Sequence, residues 1–269
     1  MVKRILFFVL CAVCSAPYCQ IIGQKNIDES ILIVEYETLE MSRSDWSHPS
    51  DEINRLLCIG EKCSMFQNIL PRYRSNRIYQ PKEDERENKN CHDRDILQGY
   101  PEGQITCKQK VSSEGYYYTE PLPSFNWQML DGDTVVCGYE CKKASTAFRG
   151  RTWTVWFAME LPYSYGPWKL GGLPGLILKA IDDKNQYSFE AIEIKNGGGK
   201  KILLSTSGFK KSSAENVYKE ILRQAENPTQ YELDLGHGYE PYEVNGVKQE
   251  FHIDSWTPYP IEYFDVKEE

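Results

Sequence analysis

Arg149 and Arg151 flank Gly150, and Trp156, Trp168 and Lys169 follow within twenty residues. Two guanidiniums on either side of a tight turn can clamp an anion, or they can fix the turn through ion pairs with nearby carboxylates. The two indoles add flat apolar faces. Arg149, Arg151, Trp156, Trp168 and Lys169 are therefore the candidate ligand-binding set. Glu160, close to Tyr163 and Tyr165, has the chemistry of a general acid, and equally that of a solvated carboxylate at a strand end. Ser207-Gly208-Phe209-Lys210 matches S-x-x-K without its companion motifs. G-x-S-x-G and H-E-x-x-H are both absent, and His48, His92, His237 and His252 are scattered through polar stretches where surface positions are expected. Gly171–Gly175 is glycine-rich, but no Gly-Lys-Ser/Thr follows and the next element reads as a strand, so the helix N-terminus that a phosphate loop requires is missing. No catalytic residue, cofactor or metal ligand is assigned.

The elements that must position this set lie in the stretch 149–194. Arg149-Gly150-Arg151 reads as a tight turn with Gly150 at positive φ. Thr152–Met159 is aromatic and β-branched, hence a strand, and apolar character on both parities suggests cover on both faces. At least one aromatic residue of this central hairpin, Trp156 and Trp168 included, is expected to line a cavity, the alternative being two-sided core packing. Leu173-Pro174-Gly175-Leu176 fits a type II turn, with Gly175 supplying the positive φ. Leu176–Ile181 and Tyr187–Ile194 form the next hairpin around Asp182–Asn185, and a parity slip near Ala191 indicates a bulge.

The runs Gly138–Ala144, Phe148-Arg149-Gly150-Arg151, Trp156-Phe157, Gly166-Pro167-Trp168-Lys169 and Gly171–Leu178 resemble the GLPGLI family of Bacteroidota, densest over about Tyr116–Ile194. The structural motif is Gly171, Gly172, Leu173, Pro174, Gly175 and Leu176. The resemblance implies an exported cell-envelope protein with no assigned activity, often encoded near outer-membrane receptors.

Further out, Ser30–Leu39 reads as the first strand and Ile53–Gln67 as a hairpin turning at Gly60-Glu61. Gly103–Lys110, Gly115–Thr119, Thr134–Ala144 and Lys201–Ser205 read as further strands. Lys211–Asn227 is the one good helix, with a capping box of Ser212 and Glu215 and a stop at Pro228. Residues 75–95 form a charged, aperiodic loop.

Lys3-Arg4 followed by the short apolar run Ile5–Val13 is a signal-peptide pattern, too short to span a bilayer. Cleavage between Cys19 and Gln20 is expected, with a lipid-anchored form as the alternative. This leaves a single domain over residues 20–269, located in the periplasm or at the outer membrane. Six cysteines remain: Cys58, Cys63, Cys91, Cys107, Cys137 and Cys141. An even set in an exported chain favours disulfides over zinc, since no C-x2-C pair occurs. A hairpin at Gly60-Glu61 would set Cys58 opposite Cys63. Cys137 and Cys141, if in one strand, lie about 13 Å apart and cannot pair. Full pairing then joins Cys91 and Cys107 to those two.

The chain has a net charge of -8, which disfavours nucleic acid and anionic lipid. The expected fold is mainly β: an antiparallel sheet curved into a half-barrel or open barrel with one packed C-terminal helix, LolA-like in architecture. The expected function is non-enzymatic: an envelope protein holding an apolar ligand or partner peptide in the curved sheet. The alternatives are a periplasmic hydrolase or peptidase, and a structural accessory of an outer-membrane receptor. No transmembrane span is expected in the mature chain.

Overall fold

The computed structural model describes residues 24–41, 53–68, 94–237, 242–244, 247–249 and 252–264. The signal segment, Cys91 and the charged loop up to residue 93 lie outside the described residues. The strands are β1 (Gln24–Glu29), β2 (Leu32–Glu40), β3 (Ile53–Ile59), β4 (Ser64–Asn68), β5 (Arg94–Gln98), β6 (Gln104–Val111), β7 (Glu114–Pro121), β8 (Gln128–Val136), β9 (Tyr139–Phe148) and β10 (Arg151–Ala158). After a long loop come β11 (Leu176–Asp182), β12 (Tyr187–Asn196), β13 (Lys201–Ser205) and β14 (Lys210–Lys211). Two helices follow, α1 (Ala214–Glu226) and α2 (Pro228–Asp234), and then a short hairpin of β15 (Tyr242–Val244) and β16 (Val247–Gln249). Among the described residues no helix is long and apolar enough to cross a membrane.

Twelve strands form one sheet in the order β14-β7-β6-β5-β4-β3-β2-β12-β11-β10-β9-β8, antiparallel except for the β14–β7 pair. β1 and β13 make a separate ribbon. The mainly β character expected is present, and the sheet ends at β14 on one side and β8 on the other, so no barrel closes. It does curl: Arg149, in the β9–β10 turn, reaches Glu120 on β7 across most of the strand order, with Nη2 2.8 Å from Oε2. One continuous core therefore draws on both halves of the sheet, with Tyr36, Phe66, Ile105 and Tyr118 from one and Trp153, Phe157, Leu178 and Phe189 from the other. Phe66 meets Phe189 edge-on at 5.8 Å.

The concave side is filled by the chain itself. The β10–β11 loop contributes Trp168, Leu170 and Leu173, α1 and α2 contribute Val217 and Tyr231, and the segment before residue 264 contributes Ile261. A smaller cluster of Ile33, Cys58, Cys63, Met65, Leu97 and Ile202 lies on the opposite face, under the β1–β13 ribbon.

Local chemistry explains the turns. Arg149 (φ 51°) and Gly150 (φ 75°) form the expected two-residue loop between β9 and β10, both left-handed as such hairpins demand. Cys137 (φ 50°) and Gly138 (φ 85°) repeat that geometry. The run 134–144, read as one strand, is thus a hairpin in which Thr134 faces Cys141. The bulge near Ala191 is present. Ala191 pairs with Tyr36 and Glu193 with Glu35, leaving Ile192 between them, 48% exposed.

Gly175 corrects the turn assignment. The left-handed glycine of the motif is Gly172 (φ 81°), whereas Gly175 is required by close approach. A Cβ there would lie 2.3 Å from the Ala158 carbonyl oxygen and 3.0 Å from Met159 Cα. The disulfide scheme also fails. Cys58 pairs with Met65, and Gly60 N donates to Cys63 O, so Cys58 and Cys63 are not opposed. All five described cysteines are free thiols. The helix cap is one residue later than expected, with Ser213 Oγ accepting from Asn216 N at 3.2 Å. Pro228 stops α1 by opening α2 as its first residue.

Candidate functional site

The folding of β7, the β9–β10 turn and the β10–β11 loop brings two of the sequence candidates together, Arg149 and Lys169. They meet carboxylates supplied by distant parts of the chain. Lys169, fully buried, donates from Nζ to Glu120 Oε1, lies 2.5 Å from Glu262 Oε1, and sits 3.4 Å from the Tyr118 hydroxyl. Arg149 bonds Glu120 Oε2 through Nη2, and its Nε stands 3.7 Å from Glu262 Oε2. Its guanidinium also stacks 4.5 Å from the centre of the Phe264 ring. The result is two cations bridged by two carboxylates.

Burial alone would lower the Lys169 pKa, but the acidic groups around it, Cys107, Tyr118, Glu262 and Glu120, hold it well above the ordinary amine range. Burial pushes the Cys107 thiol up to about 12 and raises the Tyr118 phenol as well. Both therefore keep their protons at neutral pH, and the charges that meet Lys169 there are the two glutamates.

Arg151 has a separate, fully buried set of partners. Its Nη1 lies 2.5 Å from Asp182 Oδ2, with neither side chain exposed. Its Nε and Nη2 donate to the Pro260 carbonyl at 3.2 and 2.5 Å. Asp182 in turn accepts from the backbone of Lys184, Gln186 and Tyr187, closing the β11–β12 hairpin. Tyr187 passes the tie on by donating its hydroxyl to Tyr259 O at 2.6 Å. Residues 259–264 thus form a strap sewn to the sheet by carbonyls and by Glu262.

Both arginines make ion pairs within the protein, and the Lys169–Arg149 pair is balanced by its own glutamates. Trp168 is fully buried between Trp153 (5.3 Å) and Phe148 (5.5 Å), so it is part of the core. Trp156 packs against the margin of the core. It is half-buried, its Nε1 donates to Gly132 O at 3.3 Å, and Lys143 and Lys179 lie 5.4 and 5.6 Å from its ring centre. The motif backbone is pinned from two sides, by Gln98 Nε2 to Trp168 O (2.9 Å) and by Trp127 Nε1 to Gly171 O (3.0 Å). Glu160 is exposed beyond the end of β10. An open polar cleft of about 560 Å³ lies by β1, lined by residues that include Asp28, Glu61, Lys62 and Asn196, and it contains none of the candidates.

Sequence reading missed Tyr118, Glu120 and Glu262. A signal existed for the first two. Tyr116, Tyr118 and Glu120 share strand parity, so a carboxylate was bound to face wherever the tyrosines faced. Glu262 had none, because its partners are about a hundred residues away.

Residues 104–219, less than half of the chain, match the family model of the N-glycanase peptide N-terminal domain. The match runs from β6 into α1 and includes the glycine-rich motif. None of the curated proteins compared with the chain matches it. Among solved structures, PNGF-II in its P21 crystal form is similar, with TM-score 0.48 and 14% identity over 73% of this chain and 34% of that one. PNGF-II in its C2 form gives TM-score 0.47 and 16% identity, over 72% and 33%. The chain spans about a third of the length of these structures. The expectation of a non-enzymatic carrier of an apolar ligand or peptide in the sheet's hollow is thereby overturned. The matching family is that of an enzyme's domain, and the hollow is packed with Trp168, Leu170 and Leu173.

Proposed function

We propose that this chain is an exported protein that works in the hydrolytic removal of N-linked glycans, its 104–219 region taking the part that the N-terminal domain takes in an N-glycanase. The observation that carries this reading is the match over β6 to α1. The signal-peptide pattern of Lys3-Arg4 and Ile5–Val13 supports it, because export delivers the chain to the periplasm or outer membrane, where extracellular glycoproteins are met. The resemblance to the GLPGLI family, which implies an exported envelope protein, fits the same placement. With the hollow filled, substrate contact falls to the rim. There Trp156, flanked by Lys143 and Lys179, offers the half-exposed ring on which a sugar can stack.

The test uses the chain without its signal segment, a defined N-glycopeptide, and the same peptide without its glycan. Mass spectrometry follows glycan release and calorimetry follows binding. The expected result is release of the glycan, or binding that requires the glycan and weakens at least about tenfold in Trp156→Ala, a change of about 1.4 kcal/mol. No release together with equal or absent binding of both peptides would overturn the reading.

A further inference from the structure

The short helix α2 ends in a left-handed glycine cap. Gly236 has φ 80°, its N–H donates to Leu233 O at 2.9 Å, and the His237 N–H donates to Glu232 O at 3.0 Å. This is the Schellman pattern, in which the side chain after the glycine folds back onto the one three places before the cap, normally in an apolar contact. Here that contact is between ionisable groups, with His237 Nδ1 2.7 Å from Glu232 Oε2.

Glu232 is only 9% exposed. Burial would raise its pKa, but hydrogen bonds from Ser112, His237 and Gln224 hold it below the usual carboxylate range, so it remains an anion at neutral pH. An anionic acceptor at Nδ1 fixes the ring proton there and turns the Nε2 lone pair outward. Ser113 Oγ lies 3.2 Å from His237 Nε2. Ser113 belongs to the two-residue loop joining β6 and β7, and its neighbour Ser112 has φ 54°, at a position such loops usually give to glycine. Loop and helix are held together beneath by Tyr231, which is buried and hydrogen-bonded to Tyr116 and to Glu220. Ser113 is exposed and the His237 side chain is 38% exposed, so both are open to a substrate from solution.

We propose that Ser113, His237 and Glu232 form a hydrolytic relay for carboxylic esters, with Ser113 as nucleophile, His237 as base and Glu232 as the positioning residue. This activity is separate from the action on N-linked glycans proposed above. The connectivity is that of nucleophile to Nε2 and acid to Nδ1. Ser113 Oγ attacks the ester carbonyl carbon while its proton passes to His237 Nε2. The carbon–oxygen bond to the alcohol then breaks, and the alcohol leaves with that proton. Water attacks the acyl-serine, gives a proton to Nε2, and releases the carboxylic acid as the proton returns to Ser113 Oγ. An open surface site suits esters over amides, because an ester needs less assistance to its leaving group. It also suits a short acyl group carried on an accessible chain.

The test uses p-nitrophenyl acetate and a fluorophosphonate probe on the full mature chain. The expected result is covalent labelling that maps to Ser113 by peptide mass spectrometry, and ester hydrolysis that falls at least about a hundredfold in Ser113→Ala and in His237→Ala. Glu232→Gln keeps the shape and loses the charge, and it should lower kcat with KM unchanged. Equal melting temperatures for wild type and Ser113→Ala, an exposed position, would show that the loss is not unfolding. Hydrolysis by the wild type no faster than by Ser113→Ala, or a label on any other residue, would overturn the proposal.

Discussion

Gly175→Ala is the sharpest probe of how the glycine-rich loop is built. The new methyl carbon would lie 2.3 Å from the Ala158 carbonyl oxygen, 2.7 Å from its carbon and 3.0 Å from Met159 Cα, all of them main-chain atoms. An ordinary carbon–oxygen contact begins about 1 Å further out, and no rotamer can relieve a Cβ. Either the end of β10 or the loop has to move. Overpacking in a well-packed core costs about 1–3 kcal/mol, and a clash against backbone belongs at the upper end, about 3 kcal/mol. For a chain of this size that is a fall in Tm of about 6–12 °C. Gly172→Ala is the control. Its cost is conformational, from φ 81°, while its Cβ would meet only Phe125 and Trp127 atoms at 3.9 Å. That is about 1 kcal/mol and about 2–4 °C. Differential scanning calorimetry of both variants decides the matter. A Gly175→Ala protein that melts with the wild type, or above Gly172→Ala, would refute the close-approach argument.

Other expectations follow from the same contacts. Lys169→Ala leaves the buried Glu262 and the part-buried Glu120 beside Arg149 alone and should cost about 3–5 kcal/mol in urea unfolding. Since the folded-state pKa of Lys169 is raised, its contribution is fully present below the unfolded amine value of about 10.4 and is lost only as pH rises through the folded value. The difference between wild type and Lys169→Ala should therefore be flat across pH 6–9 and shrink only at strongly alkaline pH, as equilibrium melts at several pH values would show. Ser213→Ala should cost about 1 kcal/mol and Ser212→Ala little, by thermal melts, because only Ser213 caps α1. Of the five described thiols, Cys137 is the one not buried and should react with Ellman's reagent first, the others only on unfolding.

Legibility in the sequence followed the range of the interaction. The β10–β11–β12 meander could be read, down to its bulge, because parity and turn residues are local. The Arg149-Gly150 loop could be read for the same reason. The equivalent Cys137-Gly138 loop was missed because Val135-Val136 on one side and Tyr139 on the other continue a strand-like run through it. Ser212 and Ser213 are chemically equal as caps, and the choice between them is made when Ser212 N donates to Tyr117 O and so ties Ser212 to β7. Gly175 was correctly singled out for the wrong cause, since the Ala158 carbonyl that excludes a side chain belongs to another element. Glu262 sits in a stretch without periodicity, and only the folded chain brings it to Lys169. Ser113, Glu232 and His237 are equally unremarkable one by one, and the helix cap and the β6–β7 loop bring them together.

The strand order has a kinetic consequence. From β2 to β7 and again from β8 to β12, each strand lies beside its neighbour in sequence, so each run can form by short-range closure. The joint between the runs is different. β2 must find β12, and Tyr36 must place its hydroxyl on the Ile177 carbonyl 141 residues away. Closure of a loop that long sets the pace of folding more than it sets stability. Until it happens each run keeps a bare strand edge, β2 on one and β12 on the other. A nascent chain presents β2 first and β12 much later, so the β2 edge stays open to aggregation and to chaperones for most of synthesis.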